Sequence, residues 1–295
     1  MNRDVTEAVD SAIEKTTLLK KLGDALRSLD VRLFLESPLR PLKNFLNGSW
    51  LEHPLHPLMT DIPVGAWTVA MLLDLLGLVA GVPGLGVASG VATGLGIAGA
   101  AGAVGTGLMD QMDTDPPEVT VAFTHGAINI VATLLFAVSF VWRWIDNWDT
   151  GWGQFILSAI GYVTVAVGAY LGGSLVYRQG VMVNRNAYRK GPKDFVSVLP
   201  ASQLAANTLK KVDANGQPVL LFKQGDQISA IGAVCSHYGA PLEEGKIVDG
   251  CVECPWHYSL YSLSDGSVKR GPTTSPVPAY ETRVSDGQIQ VRLRK

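Results

Sequence analysis

Four long apolar stretches with almost no charge constrain the fold of this 295-residue chain more than any other feature. They cover approximately 62–81, 86–108, 119–142 and 154–177. A helix rises about 1.5 Å per residue, so about 20 apolar residues cross a hydrocarbon core of about 30 Å. Buried helices of a large soluble protein are the alternative, but tryptophans bracket the loop after the third stretch, as in an aromatic belt. They are Trp142, Trp144, Trp148 and Trp152. We therefore predict a membrane α-helical bundle of four transmembrane helices.

Small residues recur at every fourth position on two of these stretches, a spacing that lets a neighbouring backbone approach closely in lipid. On the second stretch they are Gly86, Gly90, Gly94, Ala98 and Gly102, and on the fourth they are Gly168 and Gly172. The spacing predicts close helix packing.

Basic residues indicate the orientation of the bundle. Arg40 and Lys43 precede the first stretch and five basic residues lie between Arg178 and Lys193, whereas the opposite loops hold only Arg143. We expect a multi-pass protein of the cytoplasmic (inner) membrane, with both termini and the C-terminal domain on the cytoplasmic side. The N-terminus lacks an early hydrophobic core, so the first spanning helix is expected to act as the insertion signal.

Residues 1–60 are predicted to be a cytoplasmic amphipathic segment that lies along the membrane surface or docks on a soluble domain. Its leucines share one helical face, namely Leu18, Leu22, Leu26, Leu29 and Leu33.

The composition changes after Tyr177, where the apolar stretches end and a soluble, β-rich pattern begins. We predict a transmembrane domain at 61–177, a linker at 178–191 that could act as an extended tether, and a small all-β domain at 192–295. Strands are expected at 217–223, 227–234, 246–252 and 288–293. The net charge of −2 shows no basic surface for nucleic acid.

Two short motifs in the C-terminal domain indicate metal chemistry. Cys235-Ser236-His237 is followed, after 16 intervening residues, by Cys254-Pro255-Trp256-His257. The three cysteines lie close together and are odd in number, which argues against a disulfide scaffold. Two thiolates and two imidazoles suit a [2Fe-2S] cluster, and the alternative occupant of such a site is a zinc ion. Cys251 is interpreted as a small strand residue.

The residues around both motifs resemble the Rieske family over about 192–295. The first motif continues as Tyr238-Gly239-Ala240-Pro241-Leu242 and the second as Tyr258-Ser259-Leu260-Tyr261, with Gly271-Pro272 further on. The resemblance implies that Cys235 and Cys254 bind a buried iron and that His237 and His257 bind an outer iron. It also implies that Gly271 and Pro272 form a third loop that shields the cluster.

Two positions indicate the branch of that family. The respiratory branch carries a second cysteine in each loop, and here those positions are Ala240 and Trp256, so the chain resembles the ferredoxin-like branch. Ser259 and Tyr261 match residues that donate hydrogen bonds to sulfur in the high-potential branch, which would raise the potential. Tyr261 could instead only pack, so the reduction potential stays open.

The chain is not expected to be the catalytic subunit of a Rieske oxygenase. Such a subunit needs a mononuclear iron held by two histidines and a carboxylate, and no histidine follows His257.

A second site is predicted in the membrane half, where a buried histidine is a functional hypothesis by default. Its candidate residues are His53, His56, Asp61, Asp110 and His125. His56 and His125 could ligate a b-type haem or bind a quinone head group, or His125 could hydrogen-bond Asp61 or Asp110 in a structural network. Asp74 is interpreted as a packing partner or part of a proton path.

The membrane half also resembles an uncharacterised family of four-helix bacterial membrane domains that begin with a His-Pro motif before a proline-containing helix. Here the helix begins with Asp61-Ile62-Pro63. That family has no established activity.

Together these features predict a membrane-anchored iron–sulfur electron-transfer protein that passes single electrons between a cytoplasmic redox partner and a membrane redox partner. One alternative is a self-contained oxidoreductase with a quinone or haem near His56 and His125. Another is a redox or iron sensor that alters assembly of the membrane domain.

Overall fold

The computed structural model describes residues 5–30, 33–34 and 37–294. Parts of the predicted segment 1–60 therefore lie outside the described residues, as does the side chain of Leu29. Internal contacts divide the chain into two units. The first runs through Val181 except for Asn47–Pro54, which belongs with Met182–Lys295 in the second.

The first unit is helical. Three shorter helices, α1 (Val5–Glu14), α2 (Thr17–Asp30) and α3 (Arg40–Asn47), precede the long ones, and the last residue of α3 belongs to the second unit. The long helices are α4 (Leu55–Ala80), α5 (Leu85–Met112), α6 (Glu118–Ile145) and α7 (Trp152–Tyr177). All four are long and apolar enough to cross a membrane.

The long helices share one core and expose apolar side chains outward. Trp67 on α4 stacks on Phe136 on α6 with ring centroids 4.1 Å apart, and Ala100 from α5 and Val165 from α7 join this cluster. On the outer face each helix exposes aliphatic residues, such as Leu72 at 57%, Val91 at 66%, Leu134 at 59% and Val163 at 64%. Water would disfavour such a continuous apolar surface, whereas lipid accommodates it.

Glycines on α5 lie against side chains from different parts of the helical unit. A Cβ at Gly90 would lie 2.5 Å from the Trp148 ring, and one at Gly94 would lie 2.9 Å from the Phe140 ring. A Cβ at Gly96 would lie 2.2 Å from the Trp67 indole nitrogen. Gly90 and Gly94 of the predicted stripe therefore face α6 and the loop after it, whereas Gly102 of the same stripe lies against Met59 of α4. Gly96, outside the stripe, also allows the close approach of α4.

An ion pair lies inside the bundle. The sequence position of Arg143 predicts a loop residue, but Arg143 lies in the last turn of α6. Its side chain is buried and donates to both carboxylate oxygens of Asp74, at 2.7 and 2.6 Å. Lys43, counted as a flanking charge, is also buried and lies 2.8 Å from Asp113. These two charges are compensated by partners, so they do not carry the orientation argument.

Helix α2 packs on the bundle rather than on a soluble domain. A Cβ at Gly23 would lie 3.1 Å from the Val119 carbonyl oxygen, and Arg27 pairs with Asp115. Leu26 packs beside Met109, while Leu18 remains exposed. Some leucines of the predicted amphipathic face therefore pack on the bundle, and others remain on the surface.

The second unit is a small all-β domain of two antiparallel sheets, which confirms the predicted fold class of a helical bundle plus a β domain. The six-stranded sheet has the order β1-β10-β9-β4-β3-β2, and the four-stranded sheet has the order β5-β6-β7-β8. The strands of the larger sheet are β1 (Val196–Pro200), β2 (Leu209–Ala214), β3 (Gln217–Gln224), β4 (Gln227–Gly232), β9 (Ala279–Ser285) and β10 (Gln288–Leu293). Those of the smaller sheet are β5 (Lys246–Val248), β6 (Cys251–Glu253), β7 (Leu260–Ser262) and β8 (Val268–Arg270).

Strand β3 is apolar on both faces because it separates two cores. Leu220 and Phe222 pack toward the smaller sheet and the cysteine loops, and Val219 and Leu221 pack into the core on the opposite side. This follows from the alternation of side chains along a strand.

The predicted strand 246–252 is two strands. Asp249 and Gly250 both adopt positive φ, at 47° and 75°, and turn β5 into β6. Asp-Gly is a favoured pair for such tight hairpins, and this signal outweighs the apolar run around it.

The smaller sheet is inserted into the larger one at a single place. Ala230 pairs with Tyr280 and Ile231 with Ala279, and Gly232 donates its N–H to the Pro278 carbonyl at 2.7 Å. We call this pairing the neck. All of the chain between its two sides, 233–277, belongs to the smaller sheet and its loops.

The predicted linker 178–191 is divided between the units at Val181. Arg185 donates its backbone N–H to the Ser236 carbonyl at 3.0 Å, and the Asn186 amide donates to the Val234 carbonyl at 2.9 Å. Most of this segment therefore packs on the β domain instead of forming an extended tether.

Candidate metal centre

Two loops of the β domain close in the same way. One lies between β4 and β5, where Cys235 donates its N–H to the Ala240 carbonyl at 2.9 Å. The other lies between β6 and β7, where Cys254 donates to the Ser259 carbonyl at 2.8 Å. Each loop thus reverses within six residues and presents a cysteine at its start.

The same turn occurs in both loops at the fourth residue after the cysteine. Gly239 has φ 83° and donates to the Cys235 carbonyl at 3.0 Å. Tyr258 has φ 63° and donates to the Cys254 carbonyl at 3.1 Å. A left-handed conformation is natural for glycine and strained for tyrosine, so the second loop needs further support.

Arg270 on β8 supplies that support. Its guanidinium donates to the Tyr258 carbonyl at 2.8 and 3.1 Å and pairs with Glu253, the residue before Cys254. The smaller sheet therefore holds the second loop from the side. Nothing in the local sequence around Arg270 indicated this contact.

The predicted ligand residues converge. The thiols of Cys235 and Cys254 hydrogen-bond to each other, and the rings of His237 and His257 have centroids 5.0 Å apart with planes at 87°. All four side chains are buried, and none of the three cysteines forms a disulfide. Two adjacent thiols beside two adjacent imidazoles fit a [2Fe-2S] cluster that has sulfur ligands on one iron and nitrogen ligands on the other.

The two thiols differ in how readily they lose a proton. The hydrogen bond from Cys254 is the main cause that lowers the pKa of Cys235 to about 7, and the Tyr261 hydroxyl also contributes. The same bond and burial raise the pKa of Cys254. Since the thiolate is the form that binds metal, this lowering favours Cys235 as a metal ligand.

Tyr261 lies beneath the first loop with its hydroxyl 3.1 Å from the Cys235 sulfur. Burial, followed by the nearby Cys235, raises the pKa of Tyr261 well above its ordinary value. The phenol therefore keeps its proton. Ser236 donates its N–H to the phenol oxygen at 3.1 Å, and the Ser236 hydroxyl has its own acceptor in the Ser275 carbonyl at 2.5 Å. The phenol proton has two acceptors within reach, the Cys235 sulfur at 3.1 Å and the Ser236 hydroxyl oxygen at 2.9 Å.

Thr273 ties a third loop to the other two. Its N–H donates to the Ser259 hydroxyl at 3.2 Å, and its hydroxyl lies 2.7 Å from that of Ser236. Gly271 and Pro272, the predicted residues of this loop, are buried just before it. Sequence reasoning identified the turn but missed the residue that anchors it.

A distant segment reaches the same loop. The hydroxyl of Ser49 donates to the Thr273 carbonyl at 3.3 Å. These residues are 224 positions apart, so no local pattern could have connected them.

In the helical unit the structure brings together two of the five candidate residues. The rings of His56 and His125 have centroids 6.2 Å apart with planes at 89°. Asp61 and His53 are exposed, and the His53 ring lies against the carbonyl of Pro54. Asp110 is buried on α5. The structural alternative predicted a hydrogen bond from His125 to Asp61 or Asp110. The Nδ1 atom of His125 lies 2.8 Å from the Gly168 carbonyl oxygen instead.

Comparisons with known proteins assign a family model to each half. Residues 52–185 match the family described as "Predicted membrane protein (DUF2231)". Residues 194–281 match the Rieske [2Fe-2S] domain.

Three curated relatives match the β domain. The ferredoxin subunit of anthranilate 1,2-dioxygenase from Burkholderia cepacia is 42% identical over 27% of this chain and 74% of its own length. Ferredoxin CarAc from Metapseudomonas resinovorans is 30% identical over 34% of this chain and 95% of its own length. The iron–sulfur subunit of the cytochrome b6-f complex from Chlorobaculum tepidum is 30% identical over 33% of this chain and 53% of its own length. Each similarity covers about a third of this chain.

Proposed function

We propose, from the premise that this chain belongs to the Rieske [2Fe-2S] family, that it is a membrane-anchored carrier passing single electrons between a cytoplasmic redox protein and a redox partner in the membrane. Rieske-type electron transfer follows from the family. The anchoring, the side of the membrane and the partners are our proposals.

The convergence of two thiols and two imidazoles carries the proposal. Cys235 and Cys254 would hold one iron, and His237 and His257 the other. The cluster supplies a one-electron couple when bound. The surrounding residues limit motion, because Tyr261, Thr273 and Arg270 tie each loop to a sheet or to another loop.

An exposed aromatic surface beside the ligands is the proposed place for the soluble partner. Trp256 and Tyr258 flank His257, and both are exposed although His257 is buried. Amphipathic rings at a surface favour protein contact. Two relatives are ferredoxins by their printed names, which supports a soluble protein as the electron partner.

The helical bundle is the proposed anchor. Four crossings return the chain to the side where it began, so the segment before α4 and the β domain would share one side. The basic residues after α7 favour the cytoplasmic side.

The ligand assignment is tested by EPR of the reduced full-length protein. We expect Cys235→Ser and Cys254→Ser to abolish the cluster signal, because each removes a thiolate ligand. Cys251→Ser is the matched control, since Cys251 is also buried but lies on β6 with its side chain outside the loops. A wild-type protein that binds zinc alone, or an unchanged signal in both ligand variants, would refute the assignment.

The proposed side is tested with Tyr188→Cys, which places a thiol at an exposed position of the second unit. A membrane-impermeant maleimide should label it in inside-out vesicles and leave it unlabelled in right-side-out vesicles. The unmodified chain is the control for the three native cysteines. The reverse labelling pattern would place the β domain on the outer side.

A further inference from the structure

His56 and His125 meet inside the helical bundle. His56 lies in the first turn of α4 and His125 lies near the start of α6. Helix α4 packs mainly on α5, and α6 packs mainly on α7. The two rings therefore connect two helix pairs.

Each ring is oriented by a backbone carbonyl from the neighbouring helix. The Nδ1 atom of His56 lies 2.9 Å from the Ala103 carbonyl oxygen on α5, and that of His125 lies 2.8 Å from the Gly168 carbonyl oxygen on α7. A carbonyl oxygen only accepts hydrogen bonds, so both Nδ1 atoms carry the proton.

Both rings consequently present a lone pair at Nε2. Burying even one imidazolium cation in an apolar bundle is costly, and a second beside it more so, which favours neutral rings. A neutral imidazole has one N–H, and here that N–H is committed to a carbonyl. This is the second-sphere arrangement that orients metal-binding histidines.

The ring separation equals the value for two imidazoles that bind one iron through facing Nε2 atoms. With about 2.0 Å per metal–nitrogen bond and about 1.1 Å from nitrogen to ring centre, two axial imidazoles on one metal have centres about 6.2 Å apart. The observed separation is 6.2 Å.

The ligand count favours haem over a bare ion. Of the five candidate residues of this site, the structure brings together only the two histidines. Zinc and similar ions take three or four protein ligands, whereas haem iron brings four nitrogens of its own and needs two from the protein. The porphyrin also brings negative charge that compensates the iron in an apolar setting.

Glycines keep the rings in place. A Cβ at Gly107 would lie 2.7 Å from the His56 ring, and one at Gly172 would lie 2.9 Å from the His125 ring. Larger residues at these positions would displace the rings.

We propose that His56 and His125 are the axial ligands of one b-type haem within the bundle. A quinone fits this donor set less well, because its carbonyl oxygens need N–H donors and both N–H groups are already engaged. The site goes beyond the proposed carrier function and does not depend on the cluster ligands.

The test uses the full chain, produced with ample haem precursor and purified in detergent. We expect about one haem per chain in the pyridine haemochrome assay, with the low-spin absorption spectrum of bis-histidine ligation. His56→Ala and His125→Ala should each lose the low-spin species. His53→Ala is the matched control and should retain it, since His53 is exposed and bonded to its own neighbour.

Two further variants distinguish loss of a haem ligand from a folding defect. His125→Met supplies an alternative axial ligand and should rebind haem with an altered spectrum, as Met and His pairs do. Gly107→Leu leaves both ligands present and should reduce haem content by crowding the His56 ring.

Several results would overturn the proposal. The first is a wild-type protein that binds no haem when titrated with hemin. The second is haem that persists in the His56→Ala/His125→Ala double variant. The third is a stoichiometric zinc or copper ion, or an extractable quinone, bound to the wild-type protein in place of haem. The EPR signal of the [2Fe-2S] cluster separates the two proposals. It should survive in the double variant, whereas a chain with haem and no cluster would refute the carrier function alone.

Discussion

The hydroxyl of Tyr261 lies 3.1 Å from the sulfur of Cys235. The donor is on β7 and the acceptor is in the loop after β4, so the sheet that carries the second cysteine loop also contacts the first. Because a hydrogen bond to sulfur stabilises the more negative, reduced state, this contact should raise the reduction potential.

Tyr261→Phe should therefore lower the reduction potential. A hydrogen bond to a charged group contributes about 1.5–3 kcal/mol, and part of this differs between the two redox states. At 59 mV per tenfold change for one electron, we expect a decrease of about 40–90 mV. An EPR-monitored redox titration would measure it. Tyr280→Phe removes a buried hydroxyl from the other core and should leave the potential unchanged. Equal potentials for wild type and Tyr261→Phe would show that Tyr261 only packs.

The buried pair of Arg143 and Asp74 should behave as a unit. Removing one partner leaves a buried, uncompensated group, so Arg143→Met or Asp74→Leu alone should destabilise the bundle by about 3–5 kcal/mol. The Arg143→Met/Asp74→Leu double variant should recover much of that loss. Unfolding in detergent with rising dodecyl sulfate, followed by tryptophan fluorescence, gives the comparison. Additive losses in the double variant would contradict this prediction.

Two glycines with similar backbone conformations should tolerate alanine very differently. Gly250 has φ 75° with open space around a Cβ, so Gly250→Ala should destabilise the β domain only by the left-handed penalty of about 1–2 kcal/mol. Gly266 has φ 70°, and its Cβ would lie 2.2 Å from the Val277 carbonyl oxygen. Gly266→Ala should therefore lower the free energy of unfolding by more than this, about 3 kcal/mol or more. Denaturant unfolding of the full chain, monitored by cluster absorbance, would show the difference, and equal losses would disprove it.

Asp265 should make stability depend on pH in acid. Hydrogen bonds from Ser267, the side-chain one first, lower the pKa of Asp265 from 3.8 to about 2. A depressed carboxyl pKa stabilises the folded state above the unfolded-state pKa, and this stabilisation is lost as the pH falls from about 4 toward 2. Asp265→Asn should therefore be less stable than wild type at pH 5, and the gap should narrow toward pH 3. Circular dichroism during denaturation would follow it, and a constant gap would exclude this mechanism.

The sequence predicted those features that depend on local pattern. Apolar length is enough to define α4 to α7, and the spacing of Cys235, His237, Cys254 and His257 was enough to indicate the cluster. Partners far apart in the chain were not predictable. Arg143 looked like a loop charge because nothing nearby shows that Asp74, 69 positions earlier, lies beside it. The Asp249-Gly250 turn could have been predicted, because Asp-Gly is a local hairpin signal. The apolar residues on either side of it favoured a single strand instead.

The neck separates the residues of the metal centre from the rest of the larger sheet. Every residue proposed to hold or tune the cluster lies in the continuous stretch that leaves the larger sheet at Gly232 and returns at Pro278. Lengthening the hairpins of the larger sheet elsewhere would leave the geometry between the two cysteine loops unchanged. The stretch rests on Leu220, Phe222 and Ile231. A different β scaffold that received the whole centre would need a matching apolar platform, one open strand pair and replacements for the hydrogen bonds that Ser49, Arg185 and Asn186 donate to its loops.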